Sequence, residues 1–202
     1  MKHLILFLYF LFCQVYALDF DKIQKIKNWE LLQKEKVKIE WASYGDFPLS
    51  RAEITLKHNI KSISSKIENI ENYPSIFERV TETKRLDKNI IQIVLDLPFP
   101  FSGRDYIVKY SKEILKNGSW IFKFSSVKHP NAKLKPGHVR LHDAAGMWIL
   151  EPLNLNSTKV IYLWNGELLG NFPDVALTKA WATQGTEVLT WLDIAVKEEM
   201  KK

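Results

Sequence analysis

The sequence predicts an α+β domain in which a curved antiparallel β-sheet wraps around a long C-terminal α-helix. Three observations carry this reading. Stretches with period-two alternation of apolar and polar side chains recur between Val37 and Trp164, the spacing of half-buried strands. Short turn signals separate them, so that hairpin-linked strands build one sheet whose apolar face needs a cover. The last segment, Pro173 to Lys201, carries Leu177, Trp181, Gly185, Val188, Leu192 and Ala195 on one stripe at helical spacing. That helix is the cover.

The elements follow in order. Residues 19–28 place Phe20, Ile23 and Ile26 on one side of a short amphipathic helix. Val37, Ile39 and Trp41 then alternate with Lys36, Lys38 and Glu40, a half-buried strand, and "RAEITLKHNI" repeats the pattern. Ser64 or Ser65 caps a helix running to about Asn72, with Ile67 and Ile70 inward. Pro74 interrupts it, and another helical turn follows. In "NIIQIVLDL" the residues Ile91, Ile93, Leu95 and Leu97 share a face. "GRDYIVKYSKEIL" and "SWIFKFSSV" flank "KNGS", a two-residue Asn-Gly hairpin signal. A further reversal is expected at Ala144-Ala145-Gly146, and "STKVIYLWNGEL" is the last strand. Pro173 suits the first turn of the final helix.

The chain has 202 residues, 46% hydrophobic and 12% aromatic, enough for one domain with a sizeable core. Its first 17 residues stand apart. Lys2 precedes an unbroken apolar run from Leu4 to Phe12, and Val15-Tyr16-Ala17 resembles a cleavage site. The run is shorter than the ~20 residues of a membrane span. A signal peptide over 1–17 and a single domain over 18–202 are expected, with a retained anchor as the alternative. The protein is then exported, periplasmic or extracellular, in a bacterium. Cleavage removes Cys13, the one cysteine, leaving no disulfide and no cysteine metal site, which suits a periplasm. The net charge falls from +6 to +5 with Lys2. Such a charge permits contact with anionic lipid or nucleic acid, but a moderately basic solvated surface accounts for it better than either.

The stretch "FPFSGRDYIVKY" (residues 99–110) resembles the P-x-S-x-R-D-(F/Y)-V segment of START domains, the steroidogenic-acute-regulatory-protein-related lipid transfer modules. Residues 139–173, "VRLHDAAGMWILEPLNLNSTKVIYLWNGELLGNFP", are similar to the family's next block: a V-R strand, a turn, an apolar strand ending in proline, a T-x-V-x-(Y/W) strand and a G-x-(I/F)-P entry to the last helix. The likeness spans roughly residues 25–200. It implies a helix-grip fold with an internal tunnel for one lipid or sterol-like molecule, bound or transferred without chemistry. It also implies transient contact with a membrane surface, a monomer and no cofactor. The residues expected to meet the ligand are Ile91, Ile93, Tyr106, Val108, Tyr110, Trp148, Trp164, Trp181 and Gly185. Some START cavities carry a charged pair. The matching positions here are Ile91 and Tyr110, so tyrosine hydroxyls become the polar handles of a more apolar tunnel.

Residue chemistry narrows the alternatives. Arg104 and Asp105 are neighbours in a strand and point to opposite faces. They do not pair with each other, and Arg104 is expected to anchor a loop carbonyl or a distant carboxylate. His138 and His142 lie four residues apart in an expected strand, about 13 Å, too far to share a zinc ion bound at 2.0–2.1 Å. No metal site and no catalytic residue is assigned. The lysines are scattered, with no stripe of stacking aromatics, so nucleic acid is not expected as a partner. The competing function is an enzyme of the broader START-like superfamily, a cyclase or dehydratase, for which His142, Asp143 and Glu151 are the acid-base candidates. Gly185 admits two readings, a hinge in the helix or a close packing contact.

Overall fold

The computed structural model describes residues 18–170 and 172–199. The expected signal segment, 1–17, lies outside the described residues. The elements are α1 (Phe20–Ile23), β1 (Glu30–Lys34), β2 (Lys38–Tyr44), β3 (Phe47–Leu56), α2 (Ile60–Glu68), α3 (Tyr73–Ile76), β4 (Val80–Asp87), β5 (Ile90–Leu95), β6 (Gly103–Ile114), β7 (Trp120–Ser126), β8 (His138–Arg140), β9 (Ala145–Asn154), β10 (Ser157–Asn165) and α4 (Leu177–Glu199). Nine strands form one path, β1-β2-β3-β10-β9-β7-β6-β5-β4, antiparallel throughout. The short strand β8 adds to β6 in parallel, with Gly103 opposite His138.

Register explains which face is apolar. Across β3, β10, β9 and β7 the row Ala52, Tyr162, Trp148 and Phe122 is aligned, and the next is Ser50, Trp164, Gly146 and Phe124. Residues directly opposite point the same way, so these rings share the inner face. That face, α2, α3 and α4 enclose the main core, which includes Ile39, Ile54, Ile63, Ile67, Val160, Leu189 and Leu192. A second, smaller core on the outer face joins Ile23 of α1 to Leu49, Ile121, Met147 and Leu163.

The helix α4 is held at both ends. The Trp181 indole N–H donates to Gly166 O at 2.7 Å, and its ring lies 5.5 Å from that of Trp41. Near the other end Asp193, buried, accepts from Lys36 (3.1 Å) and Lys197 (2.7 Å), with His58 Nε2 at 3.3 Å. Burial would raise the Asp193 pKa, but the two lysines outweigh it and hold the carboxyl below its ordinary value. No helix among the described residues is long and apolar enough to cross a membrane.

Four local expectations need correction. The helix α2 is capped by Asn59, whose side chain accepts from Ser62 N at 2.9 Å. Ser64 and Ser65 lie inside it, their hydroxyls donating to the carbonyls of Lys61 and Ser62. The β6–β7 turn is a three-residue loop: Leu115 N donates to Ser119 O and Gly118 N to Leu115 O, and Gly118 takes φ +86°. This is a type I turn with a glycine bulge, in place of the two-residue form. The reversal placed at 144–146 occurs at His142-Asp143, and Ala145 and Gly146 already pair within β9. His142 is therefore not a strand residue. Finally, Pro173 caps a 3-10 turn over Asp174–Ala176, and α4 begins only at Leu177.

Candidate functional site

Between the inner face of the sheet and α4 lies a cavity of about 540 Å³. Its size falls within the ~300–1,000 Å³ of small-molecule sites. The sequence pattern accounts for most of its wall. Alternation on β6 sends Arg104, Tyr106 and Tyr110 inward. Strands β9 and β10 contribute Trp148, Tyr162 and Trp164, whose rings stack in series: Trp148 to Tyr162 at 4.2 Å and Tyr162 to Trp164 at 4.8 Å. Phe77 extends the series, with its ring 6.3 Å from Trp148.

Of the residues expected to meet a ligand, Tyr106, Tyr110, Trp148 and Trp164 line this cavity. Ile91, Ile93 and Val108 share the inner face but are buried in the core cluster and form no part of the wall. Alternation selects the face of a strand, not the depth at which α2 and α3 cover it. Trp181 is turned away from the cavity, toward Trp41 and Gly166, and fixes the start of α4. Gly185 is also behind the wall. A Cβ there would stand 2.6 Å from Ile39 Cδ1, 2.9 Å from Ala52 Cβ and 3.1 Å from Trp164. The absent side chain lets the helix axis approach the sheet, so the packing reading holds.

Arg104 is 1% exposed and binds carbonyls, as its position opposite Asp105 requires. Its Nη2 donates to Leu169 O at 2.9 Å and its Nη1 to Gly103 O at 3.3 Å; it also donates to Ser102 O and Leu168 O. This guanidinium ties the 166–172 loop to the start of β6, where Leu169 (φ +51°) and Gly170 (φ +62°) adopt left-handed backbone. On the opposite face Asp105, fully buried, accepts from Arg140 Nε (2.8 Å) and Gln92 Nε2 (2.9 Å). Arg140 also binds Ala132 O and Lys133 O, which straps the 127–140 segment over the outside of the sheet.

Sequence reasoning missed one charged feature of the wall. Arg79, just before β4, grips Glu187 of α4 through two hydrogen bonds of 2.5 and 2.6 Å. The partners are 108 residues apart, so no local pattern could join them. The carboxylate raises the Arg79 pKa further above its ordinary value, against the effect of burial. At the cavity's opening, two loops meet through Phe101 and Phe172, whose rings lie 4.5 Å apart. Phe99, on the first of these loops, and Val175, in the 3-10 turn that follows the second, are 96% and 91% exposed.

The proposed acid-base residues do not converge. Asp143 is at the wall, His142 is exposed in the turn, and Glu151 pairs with Lys159 (3.4 Å). Among the described residues no group of three or more histidine, cysteine or acidic side chains is placed to hold a metal ion.

A family model described as START domain matches residues 74–189. No curated protein matches the chain. Solved structures match it more widely. Human StAR-related lipid transfer protein 5 is 18% identical, with 89% of this chain and 93% of that chain covered and a TM-score of 0.78. A fragment of the STAR-related lipid transfer protein from Xanthomonas axonopodis is also 18% identical, covering 85% of this chain and 99% of the other at a TM-score of 0.74. The Zhui aromatase/cyclase from a Streptomyces species is 9% identical over 75% of this chain and 94% of that one, with a TM-score of 0.55. At these identities the likeness establishes the shared fold.

Proposed function

The chain belongs to the START domain family, and from that premise we propose that it binds one hydrophobic molecule in the cavity and carries it between membranes without chemistry. The observation that carries this reading is the wall itself. A cavity of about 540 Å³ is lined by stacked aromatic rings, a setting in which an apolar ligand gains from leaving water. An enzyme of the same fold would need an acid-base pair inside, and His142, Asp143 and Glu151 do not supply one. Transfer of a fluorescent lipid between two vesicle populations tests the proposal. The protein accelerates transfer at catalytic amounts if it is a carrier, and a rate equal to the protein-free control counts against it.

The exposed Phe99 and Val175 support a further part of the reading. They flank the cavity's opening, so that transient contact with a membrane surface would face the opening toward the lipid. The protein acts as a monomer, on a hydrophobic small molecule and not on nucleic acid. The apolar run Leu4–Phe12 supports export with cleavage after Ala17. The mature chain then starts at Leu18, and a soluble protein that keeps Met1 would contradict this.

A further inference from the structure

The cavity differs from end to end. Toward the 166–172 loop its wall is charged, and its two arginines already have partners. Arg104 is engaged by four backbone carbonyls, and Arg79 by Glu187. The other end is floored by Trp148 and Tyr162. The next residues on the same face of those strands, Leu150 and Val160, are fully buried and no longer part of the wall. From Arg104 to Tyr110 is six residues of β6, about 20 Å at 3.3 Å per residue, so the two ends are well separated.

Besides the indole N–H of Trp164, which is buried without a partner, the polar atoms at the floor are phenol hydroxyls. Tyr73, Tyr106, Tyr110 and Tyr162 all line the cavity. Tyr73 donates to Ile67 O at 2.8 Å. Tyr106, Tyr110 and Tyr162 have no hydrogen-bond partner among the described residues. Three hydroxyls inside an aromatic wall, none of them bonded to another protein group, are left for a ligand to meet. Burial, together with the neighbouring tyrosines, pushes the Tyr110 and Tyr162 hydroxyls well above their ordinary range. They remain neutral and able to donate at any physiological pH.

We infer that this floor is a subsite for one uncharged oxygen, the hydroxyl or carbonyl at the inner end of an otherwise apolar molecule, held by Tyr110 and Tyr162 with Tyr106 beside them. The inference rests on the carrier reading above and narrows its ligand to apolar alcohols and ketones. A phenol donates to a carbonyl, and it can both donate to and accept from an alcohol. A carboxylate or phosphate would enter a floor with no cationic side chain at it among the described residues, and an uncompensated buried charge is far more costly than a buried hydroxyl.

Affinities of the purified protein for three probes delivered from cyclodextrin decide the matter: hexadecane, 1-hexadecanol and, at pH 8, hexadecanoate. Fluorescence of the wall tryptophans reports binding, and each affinity is referred to the probe's own partition into dodecane. The alcohol is expected to bind about tenfold tighter than the alkane on this scale, equivalent to ~1.4 kcal/mol, with the carboxylate weakest. In the double variant Tyr110→Phe, Tyr162→Phe the alcohol's advantage disappears while alkane affinity is kept. Either single variant serves if the double variant does not fold. An alcohol preference that survives in a folded variant overturns the inference, as does its absence from the unsubstituted protein or equally tight binding of the carboxylate. Equal binding of all three probes leaves the carrier reading standing and removes this one alone. Failure of every probe to bind removes both.

Discussion

Arg79 and Glu187 join the entry of β4 to the middle of α4 through a two-point ion pair in the cavity wall. Both side chains line the cavity, so any opening of the wall at this point breaks the pair. Both side chains are about one quarter exposed, so solvent screens the pair and its worth is nearer ~1 kcal/mol than the value of a buried bridge.

Arg79→Gln is therefore expected to quicken ligand release about fivefold, the factor that ~1 kcal/mol represents, with the affinity changed less than the rate. Stopped-flow release at rising salt provides the check. The unsubstituted protein should approach the variant's rate as salt screens the pair, and identical rates at low salt would exclude the pair as a latch.

Gly185→Ala is expected to lower stability by about 1–3 kcal/mol, because the added methyl meets Ile39 and Ala52 at distances that demand a shift of helix or sheet. Thermal melting gives the sign directly. A raised melting temperature would mean that the glycine serves as a flexible point and not as a contact.

The stripe on the last helix and the alternation on β5, β6, β9 and β10 were legible because each states a period, and a period fixes a face. That was enough for the α+β class, for the helix as the cover of the sheet, and for Tyr106, Tyr110, Trp148 and Trp164 in the wall. Depth was not legible. Ile91 and Ile93 carry the same alternation as Tyr106, yet they fill the core. Nor were pairings over long separations: Arg79 with Glu187, or Arg140 with Asp105, arise only when distant strands and helices meet. The strand β8 shows the same limit. It reads as the first half of a hairpin with β9, but the turn at His142-Asp143 sends it alongside β6 in parallel.

Asp105→Asn keeps the shape of the buried side chain and removes the charge that answers Arg140. Loss of one partner of a buried pair costs about 3 kcal/mol, and chemical denaturation should show a loss of that size. The pH dependence follows from the same contact. Burial would raise the Asp105 pKa, but the hydrogen bonds from Arg140 and Gln92 outweigh it and hold the carboxyl below its ordinary value. A folded pKa below the unfolded ~3.9 means that the stabilisation is complete above about pH 4 and is lost as pH falls through the folded value. The unsubstituted protein should thus lose stability below pH 4 more steeply than the Asn variant. Parallel curves would remove Asp105 as the cause.

Tyr110→Asp places a carboxyl in the cavity wall beside Phe124, whose ring lies 5.6 Å from that of Tyr110. The variant either buries an unpaired charge or takes up a proton to avoid it. It should fold yet retain no hydrophobic ligand at pH 8. Ligand content equal to that of the unsubstituted protein, at equal stability, would show that the wall at this position does not meet the ligand.

The central claim is that one hydrophobic molecule occupies the space between the sheet and α4. Native mass spectrometry of the protein purified from its own host, followed by solvent extraction of the same sample, tests it most directly. The account predicts a complex heavier than the chain by one small molecule, and an extract containing that molecule in a ratio near one to one. A spectrum of the bare chain alone, unchanged after incubation with a total lipid extract, would contradict it.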